Sequence, residues 1–495
     1  MVFSSNLFLF IFLPAVLFLY YLAPRRMRFI VLTLSSYLFY AWSDPRFILL
    51  LIWVTICDFV IGNLIGGHWR ISPSRPPPPG FKKFLLALSL TNSLGLLFFF
   101  KYAMFAQELA NYWRNTFGSK AVPVLAIVLP AGISFYTFES ISYIVDIYRG
   151  IAHPASVRFL NAIPPEKRNR KTRWLAELRA FSAFATYLTQ FPHLVAGPIV
   201  RYQELESQLD RPHTSLDRFT RGIFFLSIGL AKKVLIANTV AGAADTAFAA
   251  NSLNVADAWW GTFAYAFQIY FDFSGYTDMA IGLALMVGFD FPRNFDSPYK
   301  SISITDFWRR WHITLSTWLR DYLYIPLGGN RKGHVRTYVN LILTMFLGGL
   351  WHGASLNFAV WGVYHGSLLA MERFFKFGHH ESRVPKIARV ALTFALVCIG
   401  WVPFRADGLK HTLTYLAMLF PHKVHTPDDF HAGLFEPATV TMMLVGAAIA
   451  FFGIQTWELA RRITPLKAIA AIVLFIVSVI TLADSASSPF LYFRF

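Results

Sequence analysis

The sequence predicts an all-α polytopic membrane protein, and three observations carry this prediction. Of the 495 residues, 55% are hydrophobic and only 15% are charged, with a mean hydropathy of +0.47. A soluble chain of this length needs more charge to cover its surface. Aromatic residues make up 17% of the chain, a density typical of lipid-facing and interfacial walls. Apolar runs of about 20 residues recur from end to end, each long enough to cross about 30 Å of hydrocarbon.

The apolar runs define the candidate spans. In chain order they lie at 7–22, 29–43, 47–65, 84–101, 122–147, 178–199, 222–245, 258–288, 338–370, 388–404, 437–459 and 467–483. Several are too short, too long or too polar for a simple crossing, so we expect about ten to twelve passes. The first run has no basic region before it and no small-residue cleavage site after it, which predicts a retained span. We expect a single integral membrane domain over residues 1–495.

Charge and cysteine usage argue against several function classes. The chain has 45 basic and 27 acidic residues, a net charge of +18. Basic cytoplasmic loops beside anionic lipid explain this excess, so the predicted partner is the lipid bilayer and not nucleic acid. Cys57 and Cys398 each lie in an apolar run without a CxxC partner, which disfavours a disulfide framework, a zinc site and thiol catalysis. The sequence also lacks the P-loop, Rossmann, HExxH and GxSxG patterns.

Loop charge predicts the orientation of the first half of the chain. Basic linkers at 66–83 and 149–177 alternate with poorer loops, which places both linkers in the cytoplasm and the N-terminus outside. The alternation then fails, because simple crossings cannot place the basic loops at 290–336 and 371–389 both inside. An interfacial or re-entrant segment over 290–336 resolves this conflict. Such backbone is tolerated where it is buried in protein or lines a cavity, and functional sites often lie there.

His352 is the first candidate catalytic residue. It lies in the run LGGLWHGA, near the middle of the apolar segment 338–370. An ionisable side chain at that depth is costly unless it faces a partner or a cavity. The neighbouring glycines allow a backbone or a ligand to approach closely. An apolar pocket favours neutral imidazole, which is the form that a general base needs. The alternative is a histidine that packs against a neighbouring helix, and we favour the functional role.

His312 is the second candidate, and it lies in a segment predicted to be one amphipathic helix over 306–322. The apolar stripe of this helix is formed by Trp308, Trp311, Leu315, Leu319 and Tyr322. His312 falls beside the stripe. Asp306 and Arg310 are four residues apart, a spacing that favours a supporting ion pair. A single histidine on an apolar face is as readily a packing residue, so the pattern alone leaves both roles open.

Other polar residues also lie in apolar surroundings. Asp272 and Asp278 belong to the run FDFSGYTD, where they either bind a cation or relay protons, or else orient irregular backbone around Gly275. We favour the second role. Glu139 raises the same question, and His193 is a weaker candidate.

Several motifs recur in a fixed order over nearly the whole chain. They are Met1–Asn6, Leu129–Tyr136, Ala196–Pro198, Tyr270–Ala280, Phe307–His312, Asp321–Asn330 and Leu350–Gly353. In this order they resemble the membrane-bound O-acyltransferase family, and are most similar to its bacterial branch that serves alginate O-acetylation.

The resemblance implies a ring of transmembrane helices with re-entrant segments around a central funnel. It places His352 at the family's catalytic histidine and His312 at its second invariant polar position. It also implies that acetyl-CoA is the cytoplasmic acyl donor and that a periplasmic polysaccharide acetyltransferase is the partner, with no bound cofactor and no metal. We therefore expect an O-acetyltransferase of the bacterial inner membrane that serves an exported polysaccharide, alginate or another such as cellulose.

The same interpretation suggests residues that bind the substrates. The apolar walls that exclude water would be formed by Trp351, Trp311 and Trp308. The phosphates of the donor would be held by Arg309, Arg310, Arg320 and Arg331, with Asp306 paired to Arg310. Ordinary positive-inside loop residues explain these arginines equally well.

Two competing functions stay open at this point. One is a transporter or flippase that moves a lipid-linked sugar without covalent chemistry, and the other is a scaffold for a partner's catalysis. A flippase has little need of a glycine-flanked base in the middle of the membrane, so the surroundings of His352 favour the enzyme.

Overall fold

The computed structural model describes residues 1–69, 77–375, 384–421, 432–483 and 490–491. Residues 70–76 of the first predicted linker and 376–383 of the predicted basic loop at 371–389 lie outside the described residues. The described residues form helices and connecting segments, with no β-strand among them, which confirms the all-α prediction. They fall into two compact units. The first comprises 1–222 and 283–292, and the second comprises 223–282 and 293–495.

The first unit is built from short and medium-length helices. They are α1 (Leu13–Leu22), α2 (Arg28–Ala41), α3 (Ile48–Ile65), α4 (Pro79–Leu97), α5 (Ala103–Thr116), α6 (Ile133–Arg149), α7 (Ala155–Asn161), α8 (Arg170–Thr189), α9 (Phe191–Leu194) and α10 (Tyr202–Leu205). A π-helical turn at Phe8–Phe12 precedes α1, and another at Phe98–Tyr102 joins α4 to α5.

The second unit contains His312 and His352. Its helices are most of α11 (Leu216–Ala231), α12 (Asn238–Ala249), most of α13 (Val255–Met286), α14 (Ile304–Arg310), α15 (Ile313–Leu319), α16 (His334–His352), α17 (Leu356–Phe374), α18 (Lys386–Arg405), α19 (Gly408–Met418), α20 (Pro437–Phe452), α21 (Thr456–Leu459) and α22 (Pro465–Ala483). π-helical turns at Lys232–Ala237 and Arg320–Tyr324 follow α11 and α15.

Several helices are suited to a bilayer. By length and composition, five described helical stretches can cross a membrane: Pro45–Ile65, Pro79–Thr116, Leu216–Ala249, Lys386–Arg405 and Pro465–Ala483. Two shorter apolar helices, Phe8–Leu22 and Pro437–Phe452, accompany them. The chain is thus a polytopic membrane protein, while the expected ten to twelve passes stay a prediction.

The predicted span at 122–147 is only partly a helix. Residues 119–130 are not helical, and α6 begins at Ile133. Pro123 and Pro130 interrupt helical hydrogen bonding in this stretch. At Gly132 the backbone is left-handed (φ 72°) and a Cβ atom would lie 2.2 Å from the Leu194 carbonyl oxygen, so only glycine fits. Apolar composition alone therefore placed the start of this helix about three turns too early.

The acidic residues of α13 have another role than the one we favoured. The helix is continuous through Gly275, so no irregular backbone exists there to be oriented, and that interpretation was wrong. Asp272 instead pairs with Lys233 (Oδ1–Nζ 2.5 Å), and Asp278 pairs with Lys232 (Oδ2–Nζ 2.7 Å). Both lysines lie in the stretch Leu216–Ala249, where an unpaired charge is costly, so the carboxylates neutralise them.

Helices α16 and α17 pack against each other through glycines. A Cβ atom on Gly349 would lie 2.2 Å from the Phe358 carbonyl oxygen, and one on Gly362 would lie 2.4 Å from the Met345 carbonyl oxygen. Contacts this short leave room for hydrogen only, so the two backbones touch where the helix that carries His352 must be held.

We expect Gly349→Ala to destabilise the protein by about 1–3 kcal/mol, because the added methyl group overpacks the contact between α16 and α17. The measurement is the thermal unfolding midpoint in detergent. Gly242→Ala is the matched control, since Gly242 lies in α12 with no atom within 4 Å of its Cβ position. This control should be as stable as wild type or slightly more so, because alanine favours helix over glycine by about 1 kcal/mol. Equal midpoints for Gly349→Ala and wild type would contradict the packing argument.

Candidate active site

His352 is the last residue of α16, where the predicted long span 338–370 divides into two helices. Its side chain is buried, with 5% of the residue exposed. Gly353 ends the helix in an extended conformation, and a Cβ atom there would lie 2.0 Å from the Phe358 ring. The imidazole is enclosed by aromatic rings, with centroid distances of 5.0 Å to Trp351 and 5.2 Å to Phe404. The helix end thus places the histidine at a break in the backbone, inside an apolar cage.

His312 lies at a break of its own. The prediction of one continuous helix over 306–322 was wrong, because His312 has a left-handed backbone (φ 43°) that separates α14 from α15. The main chain after the break bonds to a distant loop, where Asn294 accepts a hydrogen bond from the Ile313 N–H (3.0 Å). A left-handed conformation in a residue other than glycine costs about 1–3 kcal/mol, and such strained residues cluster at functional sites. The strain at this position therefore supports a functional role.

The two histidines meet in the second unit. Their ring centroids lie 6.3 Å apart although the residues are 40 positions apart in sequence. His312 is fully buried, and this burial lowers its pKa to about 3, so the ring is neutral at physiological pH. His312 lies outside the stretches that can cross the membrane, and within the described part of the chain its Nε2 atom has no hydrogen-bond partner. A neutral nitrogen is thus available close to His352.

Tryptophan side chains form a layer around the pair. Trp361 lies 5.2 Å from His352 and 5.7 Å from Trp308 between ring centroids. Trp351 is 3% exposed and lies 6.1 Å from His312. Trp311 is equally buried and packs against Trp401 behind this layer, with the two ring centroids 4.9 Å apart. This arrangement keeps bulk water away from both imidazoles.

A large cavity opens beside α14, α15, α16 and α17. Its volume is about 900 Å³, and we call it the arginine cavity. The residues that define its chemistry are Trp308, Arg309, Arg320, Tyr324, Glu372 and Arg373. The three arginines are exposed, and Arg320 is paired with Asp321 (Nε–Oδ1 2.7 Å). The guanidinium groups of Arg309 and Arg373 can therefore bind an anionic ligand within the cavity more readily than that of Arg320.

A second cavity lies next to His352 itself. It has a volume of about 560 Å³ and is lined by Gly353, Ser355, Asn357, Phe404, Arg405 and Asp407 among others. Gly353 directly follows His352, and the Phe404 ring contacts the imidazole. Its mixed polar lining suits a ligand that carries hydroxyl groups.

Rings of the aromatic layer line both cavities. Trp308 lines the arginine cavity, Phe404 lines the second cavity, and Trp361 contacts both of these rings. His352 contacts Trp361 and Phe404 from within the layer. The imidazole is therefore placed between two ligand-sized spaces.

The predicted substrate-binding residues divide into two groups. Arg309 lines the arginine cavity, whereas Arg310 and Asp306 form the predicted ion pair (Nε–Oδ1 2.8 Å) and line neither cavity. Arg310 also donates to the Asp296 carbonyl oxygen (3.2 Å), and Asp306 accepts from the Ile302 N–H (3.1 Å). These contacts anchor α14 and with it Arg309.

Sequence reasoning missed Arg373 and Glu372 at the end of α17. Glu372 accepts hydrogen bonds from the Ile304 and Thr305 N–H groups at the start of α14 (2.7 and 3.2 Å). Only the charges at the end of a long apolar run could have suggested them, because both residues lie more than 60 positions from α14 in sequence.

The first unit contains a buried polar pair of its own. Glu139 and His193 are both fully buried, and their Oε1 and Nδ1 atoms lie 2.8 Å apart. The sequence suggested each residue singly, and the fold of the first unit brings them together. This contact satisfies two buried polar groups that would otherwise be costly.

Comparison with known proteins identifies the family of the chain. Residues 120–402 match the membrane-bound O-acyltransferase family. The chain is 41% identical to a probable alginate O-acetylase of Pseudomonas putida, with both chains covered in full. It is 34% identical to a peptidoglycan O-acetyltransferase of Helicobacter pylori, over 100% of this chain and 98% of that protein. It is also 26% identical to a teichoic acid D-alanyltransferase of Bacillus subtilis, over 57% and 69% of the two chains. The chain therefore belongs to the membrane-bound O-acyltransferase family and is an acyltransferase.

Proposed function

We propose that this acyltransferase takes acetyl from cytoplasmic acetyl-CoA and passes it across the bacterial inner membrane. The acetyl group is used to O-acetylate an exported polysaccharide, alginate or a similar polymer, directly or through a periplasmic acetyltransferase partner. The observation that carries the proposal is the position of His352, beside His312 and between two cavities of different chemistry. The names of the relatives from Pseudomonas and Helicobacter support acetyl as the group and a glycan as the acceptor.

The arginine cavity fits the donor. Coenzyme A carries several phosphate groups, and Arg309, Arg320 and Arg373 supply exposed guanidinium groups that bind phosphate in bidentate fashion. Trp308 on the same cavity leads through Trp361 to His352, so a thioester arm that extends from the bound phosphates reaches the aromatic layer. The second cavity is left for the acceptor hydroxyl.

The chemistry follows from a neutral imidazole. His352 takes the proton from the acceptor hydroxyl as its oxygen attacks the thioester carbonyl carbon, and the C–S bond then breaks. The same imidazole returns the proton to the departing thiolate, which leaves an acetyl ester and free coenzyme A. His312 accepts a hydrogen bond through Nε2 from a neighbouring hydroxyl of the acceptor glycan, which orients the attacking hydroxyl towards His352. Proton transfer of this kind contributes about a hundred- to ten-thousand-fold in rate.

The buried tryptophans suppress the competing reaction. Water that reached the thioester would hydrolyse it, and the buried rings of Trp351 and Trp311 shield the site from water. The pair Asp306–Arg310 keeps α14 in place beneath them. Positioning by this rigid surrounding supplies the part of the rate enhancement that proton transfer does not.

Vectorial transfer in proteoliposomes tests the proposal. Radiolabelled acetyl-CoA is supplied on one face only, and polysaccharide or a periplasmic acetyltransferase on the other. The expected result is labelled ester on the acceptor side together with free coenzyme A on the donor side. Movement of a lipid-linked sugar without thioester cleavage would support the transporter alternative instead. Thioester cleavage without any acetylated acceptor would contradict transfer across the membrane.

We expect Arg373→Gln to raise the KM for acetyl-CoA about tenfold with little change in kcat. The reason is that a charge-assisted hydrogen bond contributes about 1.5 kcal/mol or more, and 1.4 kcal/mol corresponds to a factor of ten. The measurement is steady-state turnover over a range of acetyl-CoA concentrations. Arg336→Gln is the control, because Arg336 is exposed on α16 and does not line the arginine cavity. An unchanged KM in Arg373→Gln would place the donor elsewhere.

A further inference from the structure

Asn294 lies in the loop between α13 and α14, and its side chain is almost completely buried, with 1% of the residue exposed. Its Oδ1 atom is within hydrogen-bond distance of three groups. They are the His312 Nδ1 atom (3.1 Å), the Thr314 N–H (3.2 Å) and the Thr314 hydroxyl (3.1 Å). One amide oxygen therefore connects the start of α15 with the imidazole of His312.

This geometry fixes the tautomer of His312. The Thr314 backbone N–H is a donor in every protonation state, so the atom that faces it must be the amide oxygen and not the nitrogen. The same oxygen faces His312 Nδ1, and an oxygen that accepts requires Nδ1 to carry the hydrogen. In a neutral ring, Nε2 is then the unprotonated nitrogen.

The backbone supports the same orientation. The Asn294 carbonyl oxygen accepts from the Ile313 N–H, and its side chain caps α15 at Thr314. Together these bonds stabilise the left-handed conformation of His312, which otherwise carries strain. Asn294 does not line either cavity, so it acts on the reaction through His312 only.

We propose that Asn294 is a positioning residue for acyl transfer, which holds His312 as the Nδ1–H tautomer, so that the Nε2 lone pair accepts from an acceptor hydroxyl next to the one that reacts at His352. This inference rests on the role of His312 in the proposed function. It assigns to Asn294 a chemical role in addition to the capping of α15.

If Asn294 only capped α15, replacement by aspartate would leave the pH profile unchanged. If Asn294 also holds the His312 tautomer, aspartate should change the profile. Aspartate caps helices as well as asparagine does and accepts from the same three donors. It also places a negative charge next to Nδ1, which favours the imidazolium form and raises the pKa of His312. A cap needs no particular charge, whereas a neutral Nε2 acceptor is lost when the ring is protonated.

Three other rings face His312, and a titratable one among them could also contribute to the pH profile. Phe273 of α13 lies at 4.7 Å between centroids, and Trp351 and His352 of α16 lie at 6.1 and 6.3 Å. Of these three neighbours, His352 is the titratable one. Its contribution is common to wild type and variant, so the ratio of their activities isolates the effect at His312.

The experiment is the pH profile of kcat/KM, which reports ionisations of the free enzyme. We compare wild type, Asn294→Asp and Thr314→Val between about pH 5 and pH 9 with acetyl-CoA and an acceptor. The expected result is that the ratio of Asn294→Asp to wild type falls by about tenfold per pH unit below the raised pKa of His312. Thr314→Val removes one donor to the same oxygen and leaves the His312 bond, so its profile should parallel wild type.

A second variant guards against misfolding. Asn294→Ala should lower kcat, and a KM for acetyl-CoA close to that of wild type shows that α15 and the arginine cavity beside it have kept their structure. A profile of Asn294→Asp that parallels wild type at every pH would overturn the proposal and leave a cap alone. An inactive wild type would count against the proposed function itself, so the two failures are distinguishable.

Discussion

Replacement of His352 by alanine is expected to lower acetyl transfer by about a hundred- to ten-thousand-fold, with the fold intact. The His352 imidazole contacts Phe404 of the second cavity, while His312 Nδ1 is held by the Asn294 side chain. Truncation to alanine removes no backbone hydrogen bond, and alanine is a good helix former at this last position of α16. The loss should therefore appear in kcat more than in stability.

The measurement is release of free coenzyme A and of labelled ester by equal amounts of folded protein in proteoliposomes. His334→Ala is the matched control, because it is the same substitution on the same helix at an exposed position far from the aromatic layer. It should retain wild-type turnover. Full activity in His352→Ala would move the base elsewhere, with His312 as the next candidate.

Replacement of Asp272 by asparagine is expected to destabilise the protein by about 3–5 kcal/mol. The change removes the carboxylate that neutralises Lys233, and both side chains are buried, with 2% and 6% exposed. Lys233 then keeps a charge in an apolar surrounding, which is the costly half of a broken ion pair. Asp272 also accepts from the Leu491 N–H (2.7 Å), so the chain near residue 490 loses a contact as well.

A double variant distinguishes the loss of charge neutralisation from the loss of side-chain packing. In Asp272→Leu with Lys233→Met, both charges are absent, and replacement of a buried ion pair by apolar side chains is often close to neutral. We expect its thermal unfolding midpoint in detergent to lie well above that of Asp272→Asn. If the double variant were the less stable of the two, the carboxylate would serve something other than charge neutralisation. That outcome would support the alternative that Asp272 binds a cation.

The class of the protein could be derived from sequence because the bilayer imposes a simple rule. Backbone groups in hydrocarbon must bond within their own helix, so each crossing is a long apolar run that composition reveals. The i, i+4 spacing of Asp306 and Arg310 likewise predicted their ion pair correctly, because both partners lie on one helix. His352 stood out for a related reason, since an ionisable residue in an apolar run is rare.

Long-range contacts decided the rest. The periodicity around His312 favoured one helix, but the helix breaks because Asn294, 18 positions earlier, supplies bonds that stabilise a left-handed residue. Asp272 and Asp278 gave no hint that two lysines about 40 positions away would pair with them.

What the sequence alone determined is the membrane class, the family motifs and the two histidines, because these depend on local composition and order along the chain. What only the tertiary structure decided is which atoms meet: the proximity of His312 and His352, the place of Arg373 in the arginine cavity, and the tautomer held by Asn294. Hydrogen-bond geometry and burial depend on groups that are distant in sequence, and periodicity within one segment carries no information about them.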